Sequence, residues 1–551
     1  MSALIKKIRE SIIGVKVNIQ TPFGNKPLVY ADYTASGRAL TFIEDFIREK
    51  VLPFYANTHT ETSFTGAHTT ALREEARQTI RHAVNGTEDD KVIFCGPGAT
   101  AAINKLIDAL NIRLPRDLSD KHNLDDVIPW EHRPVVFIGP YEHHSNELPW
   151  RESIAEVVSI PLRPCGHIDL GVLESELEKY QSRPMLIGSF SAASNVTGIR
   201  SNIQAVTGIL KQNGALSFWD YAAAAPYVGI DMNGEAAIDA VFISAHKFVG
   251  GPGTTGILIA KKAILQNTVP VIVGGGTVIY VTPEDHAYIE DPEHREEGGT
   301  PAIVESIRTG LVFKLQQEVG TDEIERREHK FVRTALARFE ACDNLDVLGS
   351  TEALRLSIIS LRFTDGDKDL HYGFVVSLLN DLFGIQVRGG CSCAGPYGHA
   401  LLGIDMDHSR AIEAEILSGS GILRPGWVRL NFNYFIDDDE FEYLVRAVEL
   451  IAENGWRLLP YYRFNDERGT WRFKGFEPSL CNSLNTLRFS DYSPGPQATK
   501  LKVDLRQVRK EAEAALVKDY GKDYFSVDLS DEAERLRWFR LPQEVVTRLD
   551  I

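Results

Sequence analysis

The sequence predicts an α/β protein with a large domain built on a mainly parallel sheet and a smaller α+β domain. Up to about residue 325, short apolar runs typical of buried strands alternate with amphipathic helical segments, which indicates a parallel sheet covered on both faces. Beyond that point an alternating strand, 427–435, is mixed with helices at 371–383 and 438–453. The chain has 551 residues, enough for several hydrophobic cores.

These patterns divide the chain into four segments. They are an N-terminal helical segment that packs with the small domain (1–27), the large domain (28–325), the small C-terminal α+β domain (326–455) and a C-terminal extension (456–551). The role of the extension cannot be predicted from its residues.

The composition excludes several classes of protein. The hydrophobic and charged fractions, 43% and 25%, are those of a soluble globular protein. A net charge of −17 without a basic block argues against nucleic acid as a partner. No apolar run reaches the ~18 residues of a membrane span, and the N-terminus lacks a secretory signal pattern. Because six cysteines in this length do not make a disulfide framework, we expect a cytoplasmic protein.

The most informative stretch is 239–256. A buried strand, 241–243, is followed by Ser244, His246 and Lys247, and then by a turn rich in glycine. A lysine in this position is well placed to form an imine with a carbonyl cofactor, while the neighbouring serine and histidine face an anion. The alternative is a surface lysine at a hairpin tip.

Four other predicted strands also end in polar side chains. These are Thr100 after 92–94, His143 after 134–139, Asn195 after 185–190 and Asp220 after 215–220. In parallel α/β sheets, ligands bind beyond the carboxyl ends of the strands, so we expect these side chains and Lys247 to share one site. The N–H groups near Ala99 begin a helix, which favours an anion there.

Together these residues supply the parts that pyridoxal phosphate needs. Lys247 is the candidate imine lysine, and Asp220 would keep the pyridine nitrogen protonated. His143 would stack on the ring, and Asn195 would contact its oxygen. The phosphate would be held by Ala99, Thr100, Ser244 and His246. Alternatively, His143 and His144 are core histidines or metal ligands, and Asp220 is a helix cap.

With these residues in place, the chain resembles the class V aminotransferase superfamily of fold-type I pyridoxal phosphate enzymes. It is most similar to the branch of cysteine desulfurases and selenocysteine lyases. The resemblance covers residues 28–455, and the matching stretches are YADYTASG (30–37), ANTHTETSFTGAHTTALREEAR (56–77), VIFCGPGATAAIN (92–104), EHHSNELPW (142–150), SAASNVTG (191–198), WDYAAAAPYVGIDM (219–232), ISAHKFVGGPGTTG (243–256), EGGTP (297–301), RGGCSCAGP (388–396) and VRLNFN (428–433).

The resemblance implies roles for individual residues. Lys247 matches the Schiff-base lysine, Asp220 the pyridinium partner, His143 the stacking residue and Asn195 a cofactor contact. Arg429 matches the arginine that binds the substrate carboxylate, with Ala35 and Asn195 beside the substrate. Thr300 matches a threonine lent to the phosphate site of a partner subunit, which implies a homodimer. One departure is Ala223, which stands where desulfurases usually carry glutamine.

Cys393 falls at the position of the desulfurase nucleophile. The resemblance therefore implies an enzyme that takes sulfur from L-cysteine as a persulfide on Cys393 and releases alanine. A reactive thiolate needs an electropositive setting, to which Arg388 could contribute. Cys393 could instead be structural, and Cys391 could be a competing nucleophile, a resolving partner or half of a metal site.

Other functions remain compatible with the same scaffold. One is an aminotransferase, or a C–S or C–Se lyase, acting on another amino acid. Another is a non-catalytic scaffold or partner-binding protein, although the intact set of site residues argues against it. The extension could also be a module that binds a sulfur-acceptor protein.

Overall fold

The computed structural model describes residues 2–15, 17–58, 60–477, 483–490 and 504–549; parts of the predicted C-terminal extension lie outside them. Within these ranges the strands are β1 (Asn18–Thr21), β2 (Gly24–Pro27), β3 (Val29–Tyr30), β4 (Asp90–Cys95), β5 (Val135–Ile138), β6 (Glu156–Ser159), β7 (Leu186–Ser191), β8 (Leu216–Asp220), β9 (Ala240–Ser244), β10 (Gly256–Lys261), β11 (Val278–Val281), β12 (His286–Tyr288), β13 (Leu345–Val347), β14 (Ile358–Asp365), β15 (Lys368–Leu370), β16 (Ile385–Gln386), β17 (Arg388–Gly390), β18 (Trp427–Asn431), β19 (Tyr462–Asn465) and β20 (Thr470–Phe473).

The α-helices of the same ranges are α1 (Ala3–Ser11), α2 (Thr41–Phe46), α3 (Phe64–Ala83), α4 (Gly98–Ala109), α5 (Arg116–His122), α6 (Leu124–Val127), α7 (Leu148–Arg151), α8 (Leu170–Lys179), α9 (Ile203–Gln212), α10 (Pro292–Arg295), α11 (Ile303–Val319), α12 (Thr321–Glu340), α13 (Tyr372–Phe383), α14 (Gly395–Leu402), α15 (Met406–Leu417), α16 (Asp438–Asn454), α17 (Leu505–Val517), α18 (Asp531–Leu536) and α19 (Pro542–Leu549). Short 3₁₀ turns include Ala245–Lys247 and Gly421–Leu423.

The chain forms two compact units. Unit 1 comprises Met1–Ile13, Tyr33–His329 and Gly349–Leu356, and unit 2 comprises Gly14–Asp32, Lys330–Leu348 and Ser357–Ile551.

Unit 1 is built on a seven-stranded sheet in the order β4-β10-β9-β8-β7-β5-β6. Strands β6, β5, β7, β8 and β9 are parallel, and β10 runs antiparallel to both β9 and β4. Every residue of β5, β7 and β9 is buried, as expected of strands covered on both faces. Helix α4 packs on β9 and β10, and α3 packs on α11. The predicted fold class, a large mainly parallel sheet in an α/β protein, is confirmed.

Unit 2 contains a smaller sheet in the order β13-β14-β18-β17, with β15 also paired to β14, and every pair in it is antiparallel. Helix α13 packs on β17 and β18, and α16 and α17 pack beside it. The apolar residues of α13 and α16 are buried, which forms the core of this unit. Strand β3 pairs with β16, and β1 and β2 form a hairpin.

None of the helices in the described part of the chain is long and apolar enough to cross a membrane.

Candidate active site

The candidate residues of unit 1 gather at one edge of its sheet. Strands β5, β7, β8 and β9 are parallel, and β4 has the same direction because both it and β9 are antiparallel to β10. Their carboxyl ends therefore lie at the same edge, and each is followed by a predicted residue. In chain order these are Thr100, His143, Asn195, Asp220 and Lys247. The topology thus brings together five side chains that the sequence places far apart.

The turn between β4 and α4 forms a close-fitting cradle. Gly98 has a φ of +59°, and a Cβ atom there would lie 2.8 Å from the Ser244 Oγ. The Ala99 N–H donates to the same hydroxyl over 2.9 Å. Thr100 is exposed, and its hydroxyl hydrogen-bonds the Ser145 hydroxyl over 2.7 Å. The first turn of α4 therefore presents a hydroxyl and a helix N-terminus, a combination that suits a phosphate group.

His246, beside this cradle, is held in its neutral form. Burial, and to a lesser extent the positive charge of Lys247, lower its pKa to about 4. At neutral pH the ring therefore acts as a hydrogen-bonding group and contributes no charge of its own. Lys247 itself is partly buried in the turn Ala245–Lys247.

Asp220 ends β8 as a buried carboxylate, with 4% of the residue exposed. One oxygen accepts the Ala222 N–H over 2.8 Å, which fixes the orientation of the side chain. Burial raises the pKa of Asp220, while this hydrogen bond and the charge of Lys247 act in the opposite direction. A cation next to this carboxylate would offset the cost of burying it.

The loop that carries Ala35 packs directly on the Lys247 turn. The Gly37 N–H donates to the His246 carbonyl over 2.8 Å. A Cβ atom on Gly37 would lie 1.8 Å from the Phe248 carbonyl oxygen, so only glycine allows this approach. Ala35, two residues earlier, is partly exposed on this loop.

His143 and Asn195 occupy turns with their own internal hydrogen bonds. The His143 Nδ1 accepts the Ser145 N–H over 3.1 Å. This bond fixes the orientation of the ring relative to the turn that His143 begins. Asn195 is buried in a turn where the Ser194 hydroxyl accepts the N–H groups of Val196 and Thr197. Local structure thus holds the His143 ring and the backbone of the Asn195 turn.

Sequence reasoning missed Glu142, a fully buried neighbour of His143. Its carboxyl group hydrogen-bonds the Ser191 hydroxyl at 2.6 Å, the Ser191 N–H at 3.0 Å and the Asn146 side chain at 2.7 Å. These bonds tie the end of β5 to the end of β7. Burial, helped by the negative charge of Asp220, raises the pKa of Glu142 to about 8 even though the hydrogen bonds from Ser191 and Asn146 act to lower it.

The raised pKa of Glu142 makes the stability of the folded protein depend on pH. Between the ordinary value of 4.5 and about 8, the folded chain keeps the Glu142 proton while the unfolded chain loses it. Stability therefore falls as pH rises through this interval, because the unfolded state binds fewer protons. We expect Glu142→Gln, which is neutral at every pH, to remove this loss. Thermal unfolding of both proteins from about pH 5 to pH 8.5 measures it. Parallel declines of Tm with pH would contradict the assignment.

The segment that leads to Thr300 is anchored by buried ion pairs. Glu297 pairs with Arg77 at 3.0 Å and with Arg73, and its other oxygen accepts the Phe94 N–H of β4 at 2.7 Å. Burial by itself raises the pKa of Glu297, but the charges and hydrogen bonds of Arg77 and Arg73 outweigh it and lower the pKa overall. Thr300, three residues further on, is exposed. The two arginines lie in the matching stretch 56–77 and Glu297 in EGGTP, but nothing in either stretch indicates that they pair.

In unit 2, Arg429 is buried on β18 and paired with Asp32. The distance from its guanidinium to the Asp32 carboxylate is 3.1 Å, and Arg388 reaches the other oxygen of the same carboxylate, also at 3.1 Å. Burial lowers the pKa of Arg429, and Asp32 opposes this effect. Asp32 therefore orients the candidate carboxylate-binding arginine, a partner that the sequence did not reveal.

Cys393 lies in a tight turn that follows β17. Ser392 and Cys393 have φ values of 54° and 57°, in the left-handed region that costs non-glycine residues about 1–3 kcal/mol each. The Ala394 N–H closes the turn on the Cys391 carbonyl over 3.2 Å. Both cysteines are free thiols and exposed. Within the residues described, no group of three or more side chains suited to metal binding occurs.

Comparison with known proteins agrees with this architecture. The sequence matches the Aminotransferase class-V family over residues 29–411. A probable cysteine desulfurase from Halalkalibacterium halodurans is 30% identical over 374 residues, which are 67% of this chain and 85% of that protein. One from Staphylococcus aureus is 26% identical over 389 residues, or 70% and 86% of the two chains.

Solved structures share the fold. A cysteine desulfurase from Thermococcus onnurineus aligns with a TM-score of 0.63 at 23% identity, over 77% of this chain and 95% of that one. A cysteine desulfurase from Escherichia coli aligns with a TM-score of 0.61 at 21% identity, over 79% and 97%. By sequence match and by fold, this chain belongs to the class-V aminotransferase family, whose members are in general pyridoxal-phosphate-dependent enzymes.

Proposed function

We propose that the protein is a pyridoxal-phosphate-dependent cysteine desulfurase that transfers the sulfur of L-cysteine to Cys393 and releases alanine. The observation that carries the proposal is an exposed thiol, Cys393, in a turn next to a strand pair that bears two arginines. Arg388 and Arg429 are directly opposite each other in that pair. A thiolate is the reactive form of cysteine, and neighbouring positive charge favours it.

The residues of unit 1 fit the cofactor. Asp220 is a buried carboxylate of the kind that pairs with a protonated pyridine nitrogen, and the first turn of α4 offers a phosphate site at Thr100. The neutral His246 ring lines that cradle without adding a charge. Lys247 would hold the cofactor covalently, and His143 would lie on its ring. When bound, pyridoxal phosphate supplies an electron sink for the carbon skeleton of the amino acid.

The protein's own groups would then carry out binding and sulfur transfer. Arg429, oriented by Asp32, binds the substrate carboxylate, with Ala35 and Asn195 beside the substrate. The Cys393 thiolate attacks the substrate sulfur, so that an S–S bond forms as the Cβ–S bond breaks. The electron pair of the broken bond passes to the carbon skeleton, which is protonated and leaves as alanine. Cys393 is left as a persulfide, and a thiol acceptor removes the outer sulfur.

The assembly and location that we propose follow from the same residues. A homodimer would let Thr300 reach the phosphate site of the second subunit. Exposed apolar side chains on the β11–β12 hairpin, among them Ile279, Tyr280 and Val281, support a second copy as the partner. The five cysteines that the structure describes are free thiols, which supports function in the reducing cytoplasm.

Alanine and sulfide release from L-cysteine, with a reductant present, tests the proposal. We expect Cys393→Ala to lower sulfide release more than about 100-fold, because the nucleophile is lost. The absorbance of lysine-bound cofactor at about 420 nm should remain. Cys165→Ala, which removes another exposed thiol in unit 1, is the control and should be unaffected.

Other outcomes would assign a different nucleophile or a different reaction. Full activity in Cys393→Ala together with its loss in Cys391→Ala would assign the transfer to Cys391. No turnover in any of the proteins, with the 420 nm band intact, would favour transamination or lyase chemistry on another amino acid.

A further inference from the structure

The C-terminal segment of unit 2 reaches the candidate nucleophile turn through stacked aromatic rings. This segment comprises residues 504–549 and lies beyond the family match, which ends at 411. It rejoins the sheet at β15, because the Asp369 N–H donates to the Trp538 carbonyl over 3.1 Å and the Arg540 N–H donates to the Asp369 carbonyl over 2.7 Å. Residues 538–540 therefore extend the edge of this sheet.

Ion pairs hold this extra strand in place. Arg540 hydrogen-bonds Asp365 at 3.2 Å and Asp367 at 2.6 Å, and Arg548 also pairs with Asp365 at 2.6 Å. The side chain of Arg537, which is 7% exposed, bridges Glu534 and Glu544. The position of Trp538 between these anchors is thereby determined on both sides.

The indole of Trp538 forms one end of an aromatic stack. Its ring lies 5.4 Å from the ring of His371 at an interplanar angle of 22°, and 6.1 Å from that of Tyr372 at 9°. Its Nε1 donates to the Leu423 carbonyl over 3.1 Å. A second indole, Trp471, donates its N–H to the Nδ1 of His371 over 3.1 Å. Two tryptophans from beyond residue 455 thus contact one buried histidine.

His371 is fully buried and serves as a fixed spacer in this stack. Its Nδ1 also accepts the Gly373 N–H, so the proton resides on Nε2, which lies 3.2 Å from the Ile422 carbonyl. Burial lowers the pKa of His371 to about 3, which keeps the ring neutral. Trp538 and His371 together hold the short turn Gly421–Leu423 that precedes β18.

Tyr372, which stacks on Trp538, also contacts the strand that precedes Cys393. A Cβ atom on Gly389 would lie 2.7 Å from the Tyr372 ring, and one on Gly426 would lie 2.8 Å from it. The ring therefore packs closely on the backbone at Gly389 of β17 and at Gly426, the residue before β18. Gly390, the last residue of β17, is followed directly by Cys391, Ser392 and Cys393.

We propose that Trp538 is a positioning residue that, through Tyr372, holds the Cys391–Cys393 turn in its left-handed conformation. This inference rests on the proposed role of Cys393 as the sulfur acceptor. Two consecutive non-glycine residues at positive φ persist only where their surroundings impose the conformation, and the layer of Trp538, Tyr372 and β17 supplies that constraint. The C-terminal segment would thus determine where the acceptor thiol is presented.

The test compares Trp538→Ala with two other variants. Trp538→Phe keeps the stack and loses only the bond to Leu423. Trp130→Ala is the control, because this exposed indole of unit 1 packs against the guanidinium groups of Arg133 and Arg183, neither of which belongs to the stack or to its anchors. The rate of hydrogen exchange in the peptide 388–394 measures how well ordered the turn is. Steady-state kinetics with L-cysteine measures the effect on catalysis.

We expect exchange of peptide 388–394 to be about tenfold faster in Trp538→Ala and unchanged in Trp130→Ala. The kcat for sulfide release should fall about tenfold, since a small displacement of a reacting group is costly, while KM stays within about twofold. Trp538→Phe should restore both to within about threefold of wild type. If Trp538→Ala does not fold, Trp538→Leu fills part of the same space without stacking and should show the same changes.

Two results would overturn the positioning role. One is exchange of 388–394 at the wild-type rate in Trp538→Ala or Trp538→Leu. The other is faster exchange with an unchanged kcat in a protein whose activity Cys393→Ala abolishes. Failure of the proposed function would look different, because then either Cys393→Ala would retain sulfide release or the wild type would show none, whatever the exchange of this peptide.

Discussion

Lys247→Arg should abolish the absorbance at about 420 nm given by lysine-bound cofactor, and should lower turnover of L-cysteine by at least about 10³-fold. Arginine keeps the positive charge at the end of β9, so the cation beside the buried Asp220 is preserved. A guanidinium does not lose its proton at accessible pH and cannot form an imine. The substitution therefore separates the charge of Lys247 from its covalent chemistry.

A second lysine-to-arginine substitution controls for any effect that arginine itself has on the spectrum or the turnover. Lys262 is exposed just after β10 in the same unit, and Lys262→Arg should leave both the spectrum and the turnover unchanged. Thermal unfolding of the apo forms should agree to within about 2 °C for all three proteins, since no buried charge is lost. A yellow, active Lys247→Arg protein would refute the assignment of Lys247 and the proposed reaction with it.

Glu297→Ala is expected to be the most destabilising single change in unit 1, with a loss of about 3–5 kcal/mol. Removing this carboxylate leaves Arg77 and Arg73 as buried charges without their main counter-ion, and Phe94 loses the acceptor of its N–H. Arg77 is only 1% exposed, so water cannot compensate. Urea and thermal unfolding of the apo protein measure the effect.

The control for this change is Glu284→Ala, which removes an exposed carboxylate from the β11–β12 hairpin region. Surface substitutions of this kind usually change stability by less than about 0.5 kcal/mol. A triple variant in which Arg73, Arg77 and Glu297 are all replaced by apolar residues should recover part of the loss, because the cost arises from unpaired charge. Equal stability of Glu297→Ala and wild type would show that the pairs contribute little.

The large sheet was predictable from the sequence because its strands are continuous apolar runs, each followed by a turn of small or polar residues. Asp220 and Lys247 could be placed at the ends of β8 and β9 for the same reason. These predictions depend only on neighbouring residues in the sequence, because each candidate residue comes at the end of its own strand. The parallel pairing of the strands then gathers the candidates at one edge.

Pairs that join distant parts of the chain could not be predicted in this way. Asp32 meets Arg429 across 397 positions, and Glu297 meets Arg77 across 220. No periodicity links such residues, so Glu142, Asp32 and Glu297 were not singled out. Short strands such as β15 and β19 were also missed, because three or four residues carry too little pattern. The roles of individual site residues and the four-segment division of the chain remain predictions.

The two units take their residues from different parts of the chain, and this affects the order in which they can fold during synthesis on the ribosome. Every residue of unit 1 has been made once position 356 is reached. Unit 2 takes its first hairpin from residues 18–27, yet Lys26 of that hairpin is buried against Glu511, and β15 is completed by Phe539. N-terminal regions generally fold first during translation. Unit 1 can therefore fold on the nascent chain, whereas Lys26 of the early hairpin must wait about 155 further residues, from position 356 to Glu511, before its ion-pair partner exists.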